Sequence, residues 1–220
     1  MLIPVRALFR AVLVAAIFFS GTAVAERSFS SRVISCIDGD TVKIQTRQHI
    51  RFAGIDTPEK ASDTSPAQYY AREARQLTRQ LVLNKRIKFV PLPGTGKDRY
   101  GRLVVEAFLP DGDSLNERLL REGAAYFYDH RDLPESMRTR FLAAQSAAIT
   151  QRSGFWKRIL ESPDARKPFI GNRKSRRFFS IPCSQTVRIA RRNFVSFPDL
   201  EAAFRQGYAP ARFCSIWPDA

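Results

Sequence analysis

From Arg32 onward, apolar and polar residues alternate in short runs with the period of two that half-buried strands require. Val33-Ile34-Ser35-Cys36-Ile37 is followed by the turn residues Asp38-Gly39, then by Thr41-Val42-Lys43-Ile44, then by a run from His49 to Ile55 that breaks at Gly54. Asp-Gly between two such runs predicts a hairpin, because glycine takes the positive φ of a tight turn without steric cost. Further strands are expected over Arg86 to Pro91 and Leu103 to Leu109. Between Ile55 and Arg86, and again after Leu109, the period changes to that of a helix. Tyr70, Ala74, Leu77 and Leu81 form one stripe, with Ser65 as N-cap and Pro66 at the first helical position. Ser114 and Glu117 form a capping box for a short helix that carries Leu115 and Leu119 and stops at Gly123. Met137, Phe141, Ala144 and Ala148 mark a third helix running to about Gln151, after which Trp156 is expected to pack back on the domain. No internal repeat is evident. Strands grouped around a few helices predict the α+β class, as a closed antiparallel barrel.

The pattern divides the chain. Residues 161–170, with two prolines, read as a linker, and residues 171–220 as a small basic module with a helix from Pro198 to Gln206. At the other end, Arg6 and Arg10 precede an apolar run from Ala11 to Phe19, and Ala23-Val24-Ala25 offers the small residues a signal peptidase reads. Residues 1–25 are therefore expected to be a cleaved signal peptide, the run being too short to span ~30 Å of hydrocarbon. The remaining residues 26–160 hold the main domain. Export to the periplasm or the exterior follows, with no stable membrane insertion once the leader is gone.

Charge sharpens this picture. The 220 residues carry a formal +15, and residues 161–220 hold eleven Lys or Arg against five Asp or Glu. Such an excess favours polyanionic partners, nucleic acid first and anionic envelope surfaces second. Of the three cysteines, Cys36 reads as a small buried hydrophobe, while Cys183 and Cys214 share the C-terminal segment and form the natural pair.

Candidate chemistry sits at the end of the third strand run, in Arg51 and Asp56-Thr57-Pro58-Glu59. Two readings stand for that tetrapeptide. It caps a helix, or Asp56 offers a hard oxygen ligand to a divalent cation, the Thr57 carbonyl adds another, and Pro58 fixes the direction in which Glu59 projects. In Asp38-Gly39-Asp40-Thr41 the turn uses only the first two residues. Asp40, on the face of Val42 and Ile44, is left pointing inward, where an unpaired carboxylate is costly. With Asp98-Arg99-Tyr100-Gly101-Arg102, the collected groups are two aspartates, a glutamate and two arginines. Phosphodiester hydrolysis needs such a set: carboxylates to hold a cation and to orient water, and guanidiniums to stabilise charge developing on phosphoryl oxygens. His49 and His130 lie in no metal-ligand motif, which argues against a histidine base. Tyr126 and Tyr128, in Ala125-Tyr126-Phe127-Tyr128, read equally as core or as a base-stacking surface.

These three motifs, in this order and approximate spacing, resemble the staphylococcal nuclease (thermonuclease) family over roughly residues 30–158. The resemblance implies a five-stranded oligonucleotide-binding barrel with three helices and a calcium-dependent nuclease acting on DNA and RNA, leaving 3′-phosphate ends. It implies that Asp40 and Asp56 ligate calcium by side chain and Thr57 by its carbonyl, that Glu59 orients or deprotonates water, and that Arg51 and Arg102 grip the scissile phosphate. Arg99, Tyr100, Tyr126 and Tyr128 would touch substrate, with Arg99 standing where the family has a lysine. No obligate protein partner is implied. The tail, through Phe169-Ile170-Gly171-Asn172-Arg173-Lys174-Ser175, Pro182-Cys183 and Ala203 to Cys214, resembles a small α/β metal-binding module of alkylation-repair proteins. That module places a histidine before its first cysteine and another cysteine before its last, where this chain has Phe178, Phe179 and Ser180, and Ala211. Two thiols alone do not complete a tetrahedral zinc site. A Cys183–Cys214 disulfide is expected in place of the metal, worth ~3 to 4 kcal/mol in the chain-entropy account. Rival readings are a non-catalytic nucleic-acid-binding barrel and a basic envelope-associated protein.

Overall fold

The computed structural model describes residues 28–94, 97–130, 133–214 and 216–218. The leader expected over residues 1–25 lies outside the described residues. Alternation in the strand runs becomes a closed barrel of β1 (Phe29–Cys36), β2 (Thr41–Ile44), β3 (His49–Phe52), β5 (Arg86–Pro91) and β6 (Leu103–Phe108), in the order β1-β2-β3-β6-β5. Inward-facing Val33, Val42, Ile44, Ile50, Phe52, Phe89 and Val105 fill it, none more than 1% exposed. The barrel is α+β in class, as expected, but not wholly antiparallel: β3 runs parallel to β6, with Arg51 opposite Val104. The long connection between them, which includes a helix and β5, gives the chain the crossover that a parallel pair requires.

Gly54 ends β3. Its φ of +69° turns the chain, and an added Cβ would lie 2.9 Å from the Phe141 ring. The two-residue strand β4 (Ile55–Asp56) then leaves the barrel to pair with β7 (Tyr126–Phe127), so Asp56 lies opposite Tyr126. Three helices flank the barrel: α1 (Ala71–Val82), α2 (Leu115–Arg121) and α3 (Glu135–Gln151). The Ser114 hydroxyl accepts from Glu117 N–H at the start of α2, as the capping box predicts. Helix α1 starts later than the Ser65-Pro66 signature predicts. Ser62 and Ser65 pair backbone to backbone, and Gln68 Oε1 takes the Glu59 N–H at 2.7 Å, which holds this segment as an irregular brace beside the site.

Behind the barrel lies a second core. Helix α4 (Trp156–Glu161) is followed by a four-stranded sheet, in the order β10-β8-β9-β11, of β8 (Phe169–Asn172), β9 (Arg177–Ser180), β10 (Phe194–Phe197) and β11 (Ala209–Pro210). Helix α5 (Ile181–Ser184) follows β9, and α6 (Leu200–Arg205) is capped by Asp199, which accepts from Ala202 N–H at 2.7 Å. Residues 161–170 are not an open connector: they hold a 3₁₀ turn, Pro163–Arg166, and the start of β8, and Ala165 and Phe169 are buried. The indole of Trp156 packs edge-on to Phe204 of α6 at 4.7 Å, so it lies in the second core rather than in that of the barrel. A disulfide joins Cys183 to Cys214. Cys36 is free and buried, and desolvation pushes its thiol up to about 11, which fits a packing role. Among the described residues no helix is long and apolar enough to cross a membrane.

Gln145 joins the two cores. Fully buried on α3, it accepts from Phe127 N–H at 2.6 Å and donates to the Phe204 carbonyl at 2.7 Å. Replacing it by alanine strands the buried Phe127 N–H, at a cost of about 1–3 kcal/mol, while the Phe204 carbonyl keeps the Gly207 N–H at 2.9 Å. Gln145→Ala is expected to lower the denaturant midpoint with an unchanged slope, as equilibrium unfolding will measure.

Candidate active site

The site is assembled where β2, β3 and β4 meet. Antiparallel pairing places Thr41 opposite Arg51, and the Gly54 turn brings Asp56 back to the same place. Asp40 directly precedes β2, and Gly39 lets Thr57 come close, since a Cβ there would stand 2.8 Å from the Thr57 side chain. The Gly39 carbonyl is itself anchored by the Thr78 hydroxyl of α1 at 2.6 Å.

Asp40, Arg51, Asp56 and Thr57 are all buried, between 3% and 7% exposed. Arg51 spans both aspartates, with Nη1 2.7 Å from Asp40 Oδ2 and Nη2 2.8 Å from Asp56 Oδ1, and Nη2 also donates to the Ile55 carbonyl at 2.8 Å. Asp40 Oδ2 further accepts the Thr57 N–H at 3.1 Å and hydroxyl at 3.2 Å, while Oδ1 accepts the Thr41 hydroxyl at 2.9 Å. Asp56 Oδ2 accepts the Tyr126 hydroxyl at 3.2 Å. Arg102 joins the same network, donating from Nη1 to Thr41 Oγ1 at 3.2 Å. It is held by Asp98, whose Oδ2 lies 2.8 Å from both Nε and Nη2.

Two buried carboxylates thus share one buried guanidinium, and their protonation records the imbalance. Desolvation pushes Asp40 up to about 6 even though Arg51 pulls it down, and desolvation likewise raises Asp56 against Arg51. Glu59 stands on the exposed brace at the cleft edge, and desolvation followed by the charges of Asp56 and Asp40 raises its carboxyl. Asp98 moves the other way, because N–H donors of Arg102 and Tyr100 and the Arg102 guanidinium outweigh its desolvation. The carboxylate pair with the Thr57 carbonyl fits a hard divalent cation: the donors are all oxygen, and the pair holds one more negative charge than Arg51 neutralises. Among the described residues no group of three or more His, Cys, Asp or Glu stands together to hold a metal ion, so the two aspartates would have to be completed by backbone or solvent oxygens.

The site opens into a cleft of about 740 Å³. On its rim Tyr100 is 60% exposed, with the guanidiniums of Arg99 and Arg102 over its ring at 4.8 and 5.1 Å. Tyr128 lines the cleft. Tyr126 does not reach it. Only 5% exposed, it packs on Phe204 and Trp217 and acts behind Asp56 as a hydrogen-bond donor, so it offers no stacking face to a base. The opposite wall comes from the C-terminal module, whose basic surface the sequence offers to substrate without saying which residues reach the cleft: Arg177, Phe179, Ala211, Arg212 and Phe213. Their only signal in the sequence is the basic excess of the tail.

A barrel of the oligonucleotide-binding type, carrying buried carboxylates and arginines at the mouth of a basic cleft, defines the class. The chain belongs to the staphylococcal nuclease homologue family, whose profile residues 49–158 match. It is 33% identical over 113 residues to a probable endonuclease, LCL3, of Komagataella phaffii, an alignment covering 49% of this chain and 48% of that protein. It is 30% identical over 128 residues to an uncharacterized endonuclease of Escherichia coli (57% and 75%) and 31% identical over 137 residues to the thermonuclease of Staphylococcus intermedius (60% and 79%). The chain therefore spans about half the length of the Komagataella relative.

Proposed function

We propose that this protein is an exported, calcium-dependent nuclease that hydrolyses phosphodiester bonds of DNA and RNA, leaving 3′-phosphate and 5′-hydroxyl ends. The observation that carries the reading is the Asp40–Arg51–Asp56 cluster, buried and under-compensated in positive charge, linked through Thr41 to a second arginine at the mouth of a basic cleft. The ion would be held by Asp40, Asp56 and the Thr57 carbonyl. When bound it would withdraw electron density from a phosphoryl oxygen.

The other roles belong to the chain. Arg102 presents a guanidinium fork oriented by Asp98, suited to two phosphoryl oxygens at once. Arg51, released from one aspartate as substrate enters, supplies a second fork. As the P–O5′ bond breaks, charge grows on the oxygens these arginines face and the donors, placed once substrate is bound, stabilise it, while the departing 5′ oxygen takes a proton from solvent. Glu59, raised above its ordinary range at the cleft edge, orients the attacking water and takes up its proton. Arg99 and Tyr100 hold the strand beside the scissile position. Relatives named as endonucleases and thermonuclease support the chemistry. Export is supported by the leader pattern over residues 1–25 and by a disulfide of the kind that persists in oxidising compartments.

The test is cleavage of heat-denatured DNA by the purified protein in calcium and in excess chelator. Fragments with 3′-phosphate ends in calcium alone are the expected result. Intact DNA in both tubes, with a shifted band on a native gel, would assign the barrel to binding without catalysis.

A further inference from the structure

The C-terminal sheet does more than cover the barrel. Residues 211–214 form a tight turn, closed by Cys214 N–H donating to the Ala211 carbonyl at 2.9 Å, with Arg212 and Phe213 at its tip. Both ends of the turn are fixed. Ala211 is buried and its N–H donates to Phe178 O at 2.9 Å, and Cys214 is tied to Cys183 by the disulfide. Arg177, at the start of β9, stacks its guanidinium over Tyr128 at 4.1 Å and donates to the Pro210 carbonyl at 3.0 Å, which joins this wall to the barrel. Phe213 is 63% exposed, braced on one side by Phe179 at 5.9 Å. It shares the cleft with Tyr100 of the barrel wall, also exposed, so a stacking face and cationic groups stand on each side.

We infer that the turn carrying Arg212 and Phe213 is a second binding wall of the active-site cleft, gripping a phosphate and an unpaired base of single-stranded nucleic acid next to the scissile position. Position supports this. Arg212 and Phe213 line the same cleft as Arg51, Arg102 and Tyr100, which places them on the side of the tail that faces the site. Stacking on an exposed phenylalanine requires a free base face, which a duplex hides. An arginine beside it adds a sequence-independent phosphate contact. The disulfide then has a functional consequence, because it fixes the residue that follows Phe213.

The inference rests on the nuclease reading for the position of the scissile bond, but binding tests it separately. A fluorescent single-stranded oligonucleotide is titrated by anisotropy in chelator, at several salt concentrations, and cleaved in calcium. Arg212→Ala is expected to weaken binding about tenfold and to reduce the slope of log affinity against log salt by about 0.7, the signature of one lost phosphate contact. Phe213→Ala is expected to weaken binding roughly tenfold with the slope unchanged, and to leave duplex binding of the same length unaltered. In calcium both variants raise KM more than they lower kcat. Arg192→Ala, which removes an exposed charge outside the cleft, is the control and leaves slope and affinity near the parent's. If Arg212→Ala and Phe213→Ala match that control while the parent cleaves, the second wall is wrong and the nuclease stands. If the parent does not cleave but the binding losses appear, the nuclease reading falls and the wall stands. Tighter binding or faster cleavage by Arg212→Ala would make that arginine a plug and overturn the inference.

Discussion

Replacing Arg102 by alanine is expected to reduce kcat on denatured DNA about 10²- to 10³-fold, while the affinity for the same strand in chelator falls far less. The magnitude is that of one fixed donor removed from a site of developing charge. The asymmetry follows from where Arg102 stands. It is partly exposed at the cleft, and its partners in the folded protein are Asp98 and the Thr41 hydroxyl, not the barrel core. Partly exposed ion pairs of this kind contribute ~0–1 kcal/mol, so the variant should unfold within a few degrees of the parent. Loss of rate without loss of fold is thus the expected pattern, read from single-turnover cleavage beside a thermal melt. Cleavage at the parent rate would remove Arg102 from the phosphate clamp.

What the sequence shows of the fold and the site depends on whether the signal is local. The barrel strands were legible because alternation reports burial directly, and Ser114 with Glu117 marks a cap through contacts within four residues; Asp38-Gly39 does mark the hairpin, but Gly39 does not take the positive φ expected and is needed for the close approach of Thr57. Asp40 was legible for a similar reason: it was surplus to its turn and faced inward, and it is buried. The Ser65-Pro66 signature failed because it too is local. Its helix start is overridden by the Gln68 link to Glu59, which serves the site. Tyr126 was open between core and cleft because a strand pairing with Asp56 decides the matter, and β4 is too short to betray itself by periodicity. Arg177 and Arg212 were invisible as site residues. Nothing in a basic tail says which of its arginines faces the cleft; that is fixed by the docking of one core on the other, where Gln145 ties Phe127 to Phe204. Each of the three motifs is contiguous in sequence and so can be read on its own, whereas the second wall is assembled only in space.

Arg51→Ala is expected to have the larger effect on stability, and a divalent cation is expected to reverse much of it. Among the described residues, Arg51 is the only side chain whose ion pairs reach both Asp40 and Asp56, and all three are buried. Removing one partner of a buried pair leaves uncompensated charge, at a cost of about 3–5 kcal/mol. For a chain of this length that corresponds to a fall of roughly 10 °C in Tm, measured in chelator. The carboxylates then have either to take up protons or to find another cation. Calcium offers the second route, so its addition is expected to raise the melting temperature of Arg51→Ala by more than it raises the parent's, although turnover stays low because the guanidinium fork is gone. Arg51→Lys separates the two roles. A lysine restores one positive charge and part of the stability, but a single ammonium does not reproduce a planar fork bridging both carboxylates, so activity stays depressed. Equal calcium shifts in parent and Arg51→Ala would mean that the ion does not share the carboxylates with Arg51, and would move the cation out of the Asp40–Asp56 pair.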